Sequence, residues 1–513
     1  MLARYVLAIA LVTTNGVVGL DAVYPNPATY GDAGEFVVLT VDEPTSLDGY
    51  ALSDGESTVP LPDRVVRGTV AITDNATMAR SLTEYTVIET SSGLSLSNGG
   101  ETVTLRSKAG VVSSATYGRA PTAEIWRAGE WTPIGATSYP VRTRTNVPAT
   151  AFALPDDPAA VASTLASADH RILLAGYTLT SSTVAESLIA AHRKGTDVAV
   201  LLEASPVGGT PQSQIDVVDR LVGAGIEVTV SGGDRGRYRY HHAKYAVVDD
   251  RILVTSENWK PSGVGGHASR GWGMTLRDPV LANHLATVFA ADAGWVDGLE
   301  WESLNHSGQQ SPAATDTFST RFPATNATVD EVRVLVTPDN AEPALLDLMR
   351  EANASIQIQQ VSIDPEGPLL AAAVDAARRG VSVDVLLGSA WYVETENRRL
   401  ARNLSARAKD ENLPIDVRVA EPRSRYDHLH VKGIVVDRRH TVVGSINWNP
   451  GALRENREVA VVVSDAEVAA YYARIFRADW RGAAWRLHWS TIGGLVVAVV
   501  IAILVASNVR FTR

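Results

Sequence analysis

Apolar and polar positions follow two different patterns along the chain. Residues 21–145 show short runs that alternate between apolar and polar positions, as in 35–41, bounded by turn signals at 54–55 and 98–100. Alternation with period two between such turns is typical of antiparallel strands. From about residue 150, helical periodicity alternates with continuous apolar runs, which predicts helices that cover mixed sheets.

Both ends of the chain are apolar. Residues 1–20 carry one early charge, at Arg4, and then an apolar run, which predicts a signal peptide or an N-terminal anchor. Residues 490–507 carry no charge and are about long enough to cross a bilayer. Two arginines lie in the tail 508–513, which the positive-inside rule places in the cytoplasm. These features predict a cell-membrane protein with a single C-terminal transmembrane helix and an extracellular body.

The α/β region contains an internal repeat. Residues 189–202 match residues 374–387, and each copy reads as a helix that ends at a glycine, Gly195 or Gly380, before a buried strand. A segment rich in Ser, Thr, Pro and Gln separates the two copies and is typical of a linker. The predicted order is an all-β domain, a first half, a linker and a second half, over residues 21–145, 150–299, 300–328 and 329–482.

Each half carries one copy of the same polar motif, HxKxxxxD followed by SxN. The first copy comprises His242, Lys244, Asp249, Ser256 and Asn258, and the second comprises His430, Lys432, Asp437, Ser445 and Asn447. Residues two apart on a strand point to one face, so the His and Lys of each copy project together. Because a single copy arises by chance quite often, the evidence lies in two copies at matching places of a repeat.

These residue types suit attack on a phosphodiester. The substrate is anionic, so its oxygens must be neutralised and the nucleophile must be uncharged at working pH. The two Lys, two Ser and two Asn residues are predicted to hold the phosphate. One imidazole is expected to attack phosphorus while the other protonates the leaving oxygen, and a carboxylate behind each imidazole is expected to fix its tautomer. Asp249 and Asp437 are therefore predicted to be catalytic together with the His and Lys residues of the two motifs.

At these motifs the sequence resembles the phospholipase D superfamily, whose two HKD motifs meet in one active site. The resemblance covers roughly residues 150–480. It implies a pseudo-twofold α/β (α+β) repeat of two mixed-sheet halves, a covalent phosphohistidine and no metal or other cofactor. It also implies that His242 is the nucleophile and His430 the general acid, an order that the residues alone leave open.

The all-β region resembles a lamin-tail domain, which has an immunoglobulin-like sandwich fold. The matching pieces are residues 35–39, 47–54, 96–105 and 115–117. Nothing in this region has the pattern of a catalytic site, so a docking or spacer role is expected.

The two halves depart from each other after their motifs. Glu458 matches the acidic residue often found after the second motif, and it is expected to support a histidine from behind. The corresponding position in the first half is Gly271, which has no carboxylate. The sequence therefore predicts two unequal halves, with Gly271 as the candidate defect.

The substrate remains open between three hypotheses. A predicted membrane span just after the second half favours phospholipid, hydrolysed or transferred to an alcohol. An extracellular nuclease is the alternative, because Trp259 and Trp448 follow the two motifs and Arg-Tyr segments precede them, where they could stack on bases. The net charge of -11 argues mildly against a polyanion. A non-catalytic adhesion or scaffold protein is the third hypothesis, and no obligatory protein partner is predicted.

Overall fold

The computed structural model describes residues 18–93, 95–232, 236–310 and 314–482. Its N-terminal region is built from strands and one short helix. The elements are β1 (Val18–Tyr24), β2 (Phe36–Ser46), β3 (Ala51–Ser53), β4 (Thr58–Pro60), β5 (Val65–Thr73), α1 (Ala76–Leu82), β6 (Thr86–Glu89), β7 (Glu101–Ser107), β8 (Gly110–Tyr117), β9 (Glu124–Arg127) and β10 (Glu130–Pro133), with a 3-10 turn at Tyr30–Asp32.

These strands form two sheets that face each other. One has the order β10-β9-β1-β2-β5-β6 and the other β4-β3-β7-β8. The alternating apolar side chains of both sheets meet in one core, which includes Val23, Leu39, Val70 and Leu105. The region is therefore a β-sandwich, whereas its likeness to a lamin-tail domain stays a prediction.

The rest of the chain alternates helices and strands. The first half contains β11 (Arg142–Leu154), α2 (Ala159–Ala166), β12 (Arg171–Gly176), α3 (Ser182–Arg193), β13 (Asp197–Glu203), α4 (Gln212–Gly223), β14 (Glu227–Ser231), β15 (Tyr245–Val248), β16 (Arg251–Thr255), β17 (Ser269–Arg277), α5 (Pro279–Ala293) and β18 (Leu299–Glu300), then a 3-10 turn at Trp301–Ser303. The second half contains β19 (Thr325–Val336), α6 (Ala341–Arg350), β20 (Ser355–Gln360), α7 (Pro368–Arg378), β21 (Ser382–Leu387), α8 (Glu394–Asp410), β22 (Ile415–Val419), β23 (His428–Leu429), β24 (Lys432–Val436), β25 (His440–Gly444), α9 (Pro450–Arg454), β26 (Val459–Ser464) and α10 (Ala466–Gly482).

One mixed sheet runs through both halves. Its order is β18-β14-β13-β12-β15-β16-β17-β11-β19-β26-β25-β24-β20-β21-β22. Apart from the edge strand β18, the order on one side of the β11–β19 junction repeats in reverse on the other. The α/β pseudo-twofold repeat expected from the sequence is therefore the observed architecture.

Local sequence explains how the repeated helices begin and end. Ser181 caps α3 by accepting a hydrogen bond from the Val184 amide at 3.3 Å. The glycine after α3 and the one after α7, Gly195 and Gly380, have φ of 96° and 95°, a left-handed conformation that favours glycine. Continuous apolar strands such as β13 follow because helices cover the outer face and the shared core lies on the inner face.

The two halves share one hydrophobic core. It contains side chains of the central strands β11 and β19, of β17 and β26, and of the helices α5 and α10. Its members from opposite halves include Trp272 and Tyr472, whose ring centroids lie 4.6 Å apart. Because this core crosses the junction, the halves cannot separate without exposing it.

Three predictions about the segments outside the halves need correction. β1 begins at Val18, inside the predicted leader, and Val18 and Leu20 are buried in the sandwich; residues 1–17 lie outside the described residues. The predicted linker is shorter than 300–328, because Trp301 is buried against the first half and β19 begins at Thr325.

The third correction concerns localisation. In the described part of the chain, no helix is long and apolar enough to cross a membrane. The prediction of a cell-membrane protein with an extracellular body is therefore wrong on this finding. Residues 490–507 and 508–513, on which that prediction rested, lie outside the described residues.

Candidate active site

The two motif histidines are held by the backbone of the opposite half. The His242 amide donates to the Arg457 carbonyl at 2.9 Å, and the His430 amide donates to the Arg270 carbonyl, also at 2.9 Å. In addition, β23 runs parallel to the start of β17 through its first two residues. Each histidine therefore depends on the other half for its position.

Arg457 anchors the strand that holds His242. Its side chain is fully buried and pairs with Asp292 of the first half at 2.9 Å and with Asp339 at 3.5 Å. It also donates to the Tyr238 hydroxyl. A buried charge is tolerated only when it is paired and hydrogen-bonded, and these partners come from both halves.

Arg270 has the corresponding role on the other side. Its buried guanidinium lies 3.1 Å from Asp479 of the second half and also binds Asp156. Its carbon lies 4.8 Å from the ring centre of Tyr426. The two buried arginines thus fix the two crossing strands in related ways.

A carboxylate backs each imidazole, and it comes from the opposite half. His242 Nδ1 lies 2.8 Å and 3.0 Å from the two oxygens of Glu458. His430 Nδ1 lies 3.3 Å from Glu257 Oε2. The histidine side chains are 14% and 17% exposed, so their outer edges reach solvent. This arrangement leaves Nε2 of each ring as the atom that can meet a substrate.

The two motif lysines lie beneath the histidines and are buried. Lys244 Nζ donates to the His242 carbonyl at 2.6 Å. Lys432 Nζ donates to the His430 carbonyl at 2.9 Å and lies 3.1 Å from His430 Nε2. Burial lowers the pKa of Lys432 to about 8, with Glu257 and Glu458 opposing the shift. Burial also holds the pKa of Lys244 well below its usual value.

Burial favours the uncharged form of both imidazoles. Burial, aided by the nearby Lys244 and Lys432, lowers the pKa of His242 to about 4 against the opposing charge of Glu458. Burial and Lys432 lower the pKa of His430 to about 4 as well. Since lysines of both halves act on each ring, the two motifs form one electrostatic unit. A neutral imidazole can attack an anionic phosphodiester.

Asp249 and Asp437 do not lie behind the histidines, so their predicted catalytic role needs correction. Asp249 accepts hydrogen bonds of 2.8 to 2.9 Å from the backbone amides of residues 169–171. Asp437 accepts three of 2.8 Å from the amides of 353–355. Each carboxylate closes the turn before the first parallel strand of its half. Their place is structural because all their donors are backbone groups of that turn.

The two motif serines are also structural, whereas the asparagines stay near the surface. Ser256 Oγ accepts from the Trp272 amide at 3.0 Å, and Ser445 Oγ accepts from the Val459 amide at 3.1 Å. Both serines are fully buried, so their predicted contact with substrate is not supported. Asn258 and Asn447 are only partly buried, which leaves them accessible to a bound phosphate.

Two contacts of the site were not foreseen from the sequence. Glu257 supplies the carboxylate of His430, although the interpretation of the motif passed over it as the middle residue of SxN. The Tyr177 ring packs against His242 with centroids 4.7 Å apart, and its hydroxyl accepts from the Val207 amide at 2.6 Å. Tyr177 belongs to no recognisable motif, because it follows β12 in an otherwise apolar run.

Four of the aromatic residues that suggested base stacking are buried, whereas Tyr240 is only partly buried. Trp259 is 0% and Trp448 3% exposed, and Trp259 Nε1 donates to the Ala175 carbonyl at 2.9 Å. Tyr238 and Tyr426, from the Arg-Tyr segments, are each 1% exposed beside the buried arginines. These four rings belong to the core and offer no face to a nucleic acid base.

In the described ranges, no group of three or more His, Cys, Asp and Glu side chains is placed to hold a metal ion.

Known proteins resemble this chain over both halves. The family model described as "Cardiolipin synthase, PLD-like domain" matches residues 161–293 and 345–480, just over half of the chain. Cardiolipin synthase B of Salmonella typhi is 25% identical over 323 residues, which cover 60% of this chain and 73% of that protein. A phospholipase D of Rickettsia bellii is 26% identical over 135 residues, or 26% of this chain and 61% of that protein.

Among solved structures, the phosphatidylserine synthase of Haemophilus influenzae Rd KW20 aligns with a TM-score of 0.48 and 13% identity. That alignment covers 67% of this chain and 86% of the synthase. The family model covers the strands and helices that carry both histidines. The chain therefore belongs to the PLD-like domain family of the phospholipase D superfamily, and it is a phosphodiesterase of the phospholipase D type.

Proposed function

We propose that the chain cleaves the headgroup phosphodiester of a phospholipid through a covalent phosphohistidine on His242, with transfer to water or to an alcohol. The observation that carries this proposal is the pairing of each imidazole with a buried carboxylate of the opposite half, above two buried lysines. Such a site neutralises phosphate oxygens, and it holds one imidazole to attack and another to move a proton.

The surroundings of the two rings favour His242 as the nucleophile. Its Nδ1 donates to Glu458, so the lone pair is on Nε2, and that nitrogen has no partner among the described residues. His430 Nε2 instead lies 3.1 Å from the Lys432 ammonium, which engages its lone pair. The short contact with Glu458 also stabilises the positive charge that His242 gains on attack.

The reaction proceeds in two balanced steps. His430 enters the first step as an imidazolium that has taken a proton from solvent on Nε2. His242 Nε2 forms a bond to phosphorus while the bond to the leaving oxygen breaks, and that oxygen takes the Nε2 proton of His430. Water or an alcohol then gives a proton to His430 as its oxygen attacks phosphorus. The bond between phosphorus and nitrogen breaks, and its electron pair returns to His242. Lys244 and Lys432 hold the non-bridging oxygens in both steps.

Exposed apolar residues near the site support a lipid substrate. Trp391 is 88% exposed and Val207 75% exposed. Val207 donates its amide to Tyr177, the ring that packs on His242. Trp391 precedes Tyr392, whose raised pKa is due first to burial and then to the charge of Glu257. Large exposed apolar side chains in loops of both halves suit contact with a lipid surface.

The relatives and the buried aromatics point the same way. Two relatives are named for cardiolipin synthesis and phospholipase D activity, which suggests a phospholipid for this chain too. The rings of Trp259, Trp448, Tyr238 and Tyr426 are buried, which weakens the base-stacking argument for a nuclease.

A parallel assay tests this proposal. The purified full chain, with a chelator present, is incubated with phospholipid mixed micelles and separately with single-stranded DNA, each with and without glycerol. Headgroup release, or transfer of the phosphatidyl group to glycerol, is expected from the wild type and from a His170→Gln control, whose side chain is exposed. His430→Asn should lose both. Cleavage of DNA alone would contradict the lipid proposal.

A further inference from the structure

The two halves exchange residue types at two pairs of matching positions. Glu257 lies between Ser and Asn after the first motif, where the second half has Ile446. Gly271 follows Arg270 in the first half, where the second half has Glu458 after Arg457. Each half therefore keeps one carboxylate and one residue without charge, but their places on the two neighbouring strands are reversed.

The contacts of Glu257 point into the site. It is 2% exposed, and its Oε2 lies 3.3 Å from His430 Nδ1 and accepts from Ser269 Oγ at 2.7 Å. Its other oxygen, Oε1, is buried without a hydrogen-bond partner among the described residues. The negative charges nearest to this imidazole thus come from the loop end of β16, rather than from β17.

Gly271 is the position that makes room for this carboxylate. A Cβ at residue 271 would lie 2.2 Å from Glu257 Cγ and 2.5 Å from its Oε1. The carboxylate of Glu257 therefore occupies the space that a side chain at 271 would fill. In the second half that exchange is reversed, because Glu458 directly precedes β26 and Ile446 is an apolar side chain that is 4% exposed.

We propose that Glu257 is the positioning residue of His430, and that it replaces, from the adjacent strand, the carboxylate that Gly271 lacks. The inference rests on the proposed function, because it takes His430 to be the proton-transferring imidazole. Glu257 fixes the tautomer that keeps Nε2 towards the substrate, and it stabilises the imidazolium that forms when His430 takes a proton. Gly271 is then a matched partner of Glu257 and not a defect.

A purely structural role for Glu257 makes different predictions. As a counter-ion of the buried lysines it would influence folding and phosphate binding, so its loss would raise KM or lower the melting temperature. As a positioning residue it acts on proton transfer, so its loss lowers kcat with little change in KM. It also raises the pKa of His430 against the effect of burial.

The test removes the carboxylate at position 257 and then restores one at position 271, on β17. Glu257→Gln should lower kcat on bis(4-nitrophenyl) phosphate and on phospholipid by about 10²–10⁴-fold, with KM nearly unchanged. The double variant Glu257→Ile with Gly271→Glu reproduces the arrangement of the second half, and it should recover at least a tenth of wild-type kcat. Glu186→Gln, at an exposed glutamate, is the control.

Each outcome decides the inference. Full activity of Glu257→Gln, or a folded double variant no more active than Glu257→Ile, would overturn it. A wild type inactive on every diester would count against the proposed function instead. In that case NMR of labelled histidine still tests the contact: Glu257→Gln should move the titration of His430 to lower pH, and an unchanged titration would overturn the inference.

Discussion

The first and second halves share a frame but obtain their carboxylates differently. In both, an aspartate after the motif strand binds three backbone amides, a buried serine binds the neighbouring strand, and a buried arginine pairs with aspartates of both halves. The carboxylate behind the imidazole is the exception, because Glu458 directly precedes β26 whereas Glu257 follows β16 by two residues.

This difference separates what the fold needs from what the chemistry needs. The frame requires particular side chains at particular backbone positions, since each hydrogen bond has a fixed direction. The imidazole requires only a carboxylate oxygen beside Nδ1, which either neighbouring strand can supply. The chemistry is therefore conserved between the halves at the level of atoms, although it is not conserved at matching residues.

The largest expected effect distinguishes the roles of the two histidines. His242→Asn should abolish turnover of bis(4-nitrophenyl) phosphate, by roughly 10⁴-fold or more, because no phosphohistidine forms. His430→Asn should lose about 10²–10⁴-fold in steady state but still release a burst of one equivalent of nitrophenol, since this leaving group needs little protonation. Stopped-flow absorbance measures both. A burst from His242→Asn, with none from His430→Asn, would reverse the assignment.

Replacing either buried arginine should lower the free energy of unfolding by a similar amount. Arg457→Met removes the buried ion pairs with Asp292 and Asp339, and Arg270→Met removes those with Asp156 and Asp479. Breaking a buried ion pair by removing one partner costs about 3–5 kcal/mol, so each variant should lose that much free energy of unfolding in urea.

The control for the arginine pair is Arg350→Met, which removes a side chain that is 63% exposed and should cost about 0–1 kcal/mol. Stabilities of both buried-site variants within 1 kcal/mol of this control would show that the crossing strands do not depend on these pairs.

Deprotonation of the buried lysine Lys432 should lower the activity at alkaline pH. The pKa of Lys432 is lowered to about 8, so it is charged below that pH and loses its charge above it. We expect kcat/KM to fall about tenfold per pH unit above pH 8 as the phosphate loses this partner. A Lys432→Arg variant keeps its charge and should lack this limb. The same alkaline limb in that variant would assign it to another group.

The exposed aromatic should matter only for lipid aggregates. Trp391→Ala should lower activity on phospholipid vesicles by about tenfold, because a ring partly buried in the lipid interface contributes about 1.4 kcal/mol to binding. Activity on bis(4-nitrophenyl) phosphate should be unchanged. Val65→Ala, at an exposed residue of the sandwich, is the control. Equal losses on both substrates would mean that Trp391 supports the site rather than the lipid contact.

The smallest effect on catalysis is expected at the two motif aspartates. Asp249→Asn and Asp437→Asn should each lose about 0.5–2 kcal/mol of stability, with kcat/KM of the folded protein unchanged. Backbone hydrogen bonds outweigh burial and lower the pKa of both carboxyls. This stabilisation is therefore complete above the unfolded pKa of about 4 and is lost as pH falls through the lower folded values. Thermal melts at several pH values measure it, and a large loss of kcat in either variant would restore a catalytic role.

Much of the site follows from the sequence because strand alternation is local. His242 with Lys244, and His430 with Lys432, were placed together from their spacing alone, and the repeat predicted that the halves pair. The aspartates were misassigned because the sequence does not say which backbone amides a turn residue meets. The role of Glu257 was missed because its partner, His430, lies far along the chain.

An alignment of the two halves carried the missing signal. Glu257 with Gly271 and Ile446 with Glu458 form a reciprocal exchange, which is visible in the sequence once both strands are compared together. A second exchange accompanies it: Thr255 faces Gly273, whereas Gly444 faces Ala460. In each half, a position with a side chain on one strand thus faces a glycine on the neighbouring strand. Comparing such pairs between the halves indicates which residues are in contact, whereas a single position gives no such information.

Mapping of the phosphorylated residue tests most directly whether a covalent phosphohistidine forms on His242. The full chain is mixed with phospholipid, quenched with alkali within milliseconds, digested and analysed by mass spectrometry. We expect phosphatidate linked through phosphorus to the His242 peptide in the wild type, and none in His242→Asn. Attachment to His430 would contradict the assigned order of the two halves, and the absence of any adduct during active turnover would contradict the covalent mechanism.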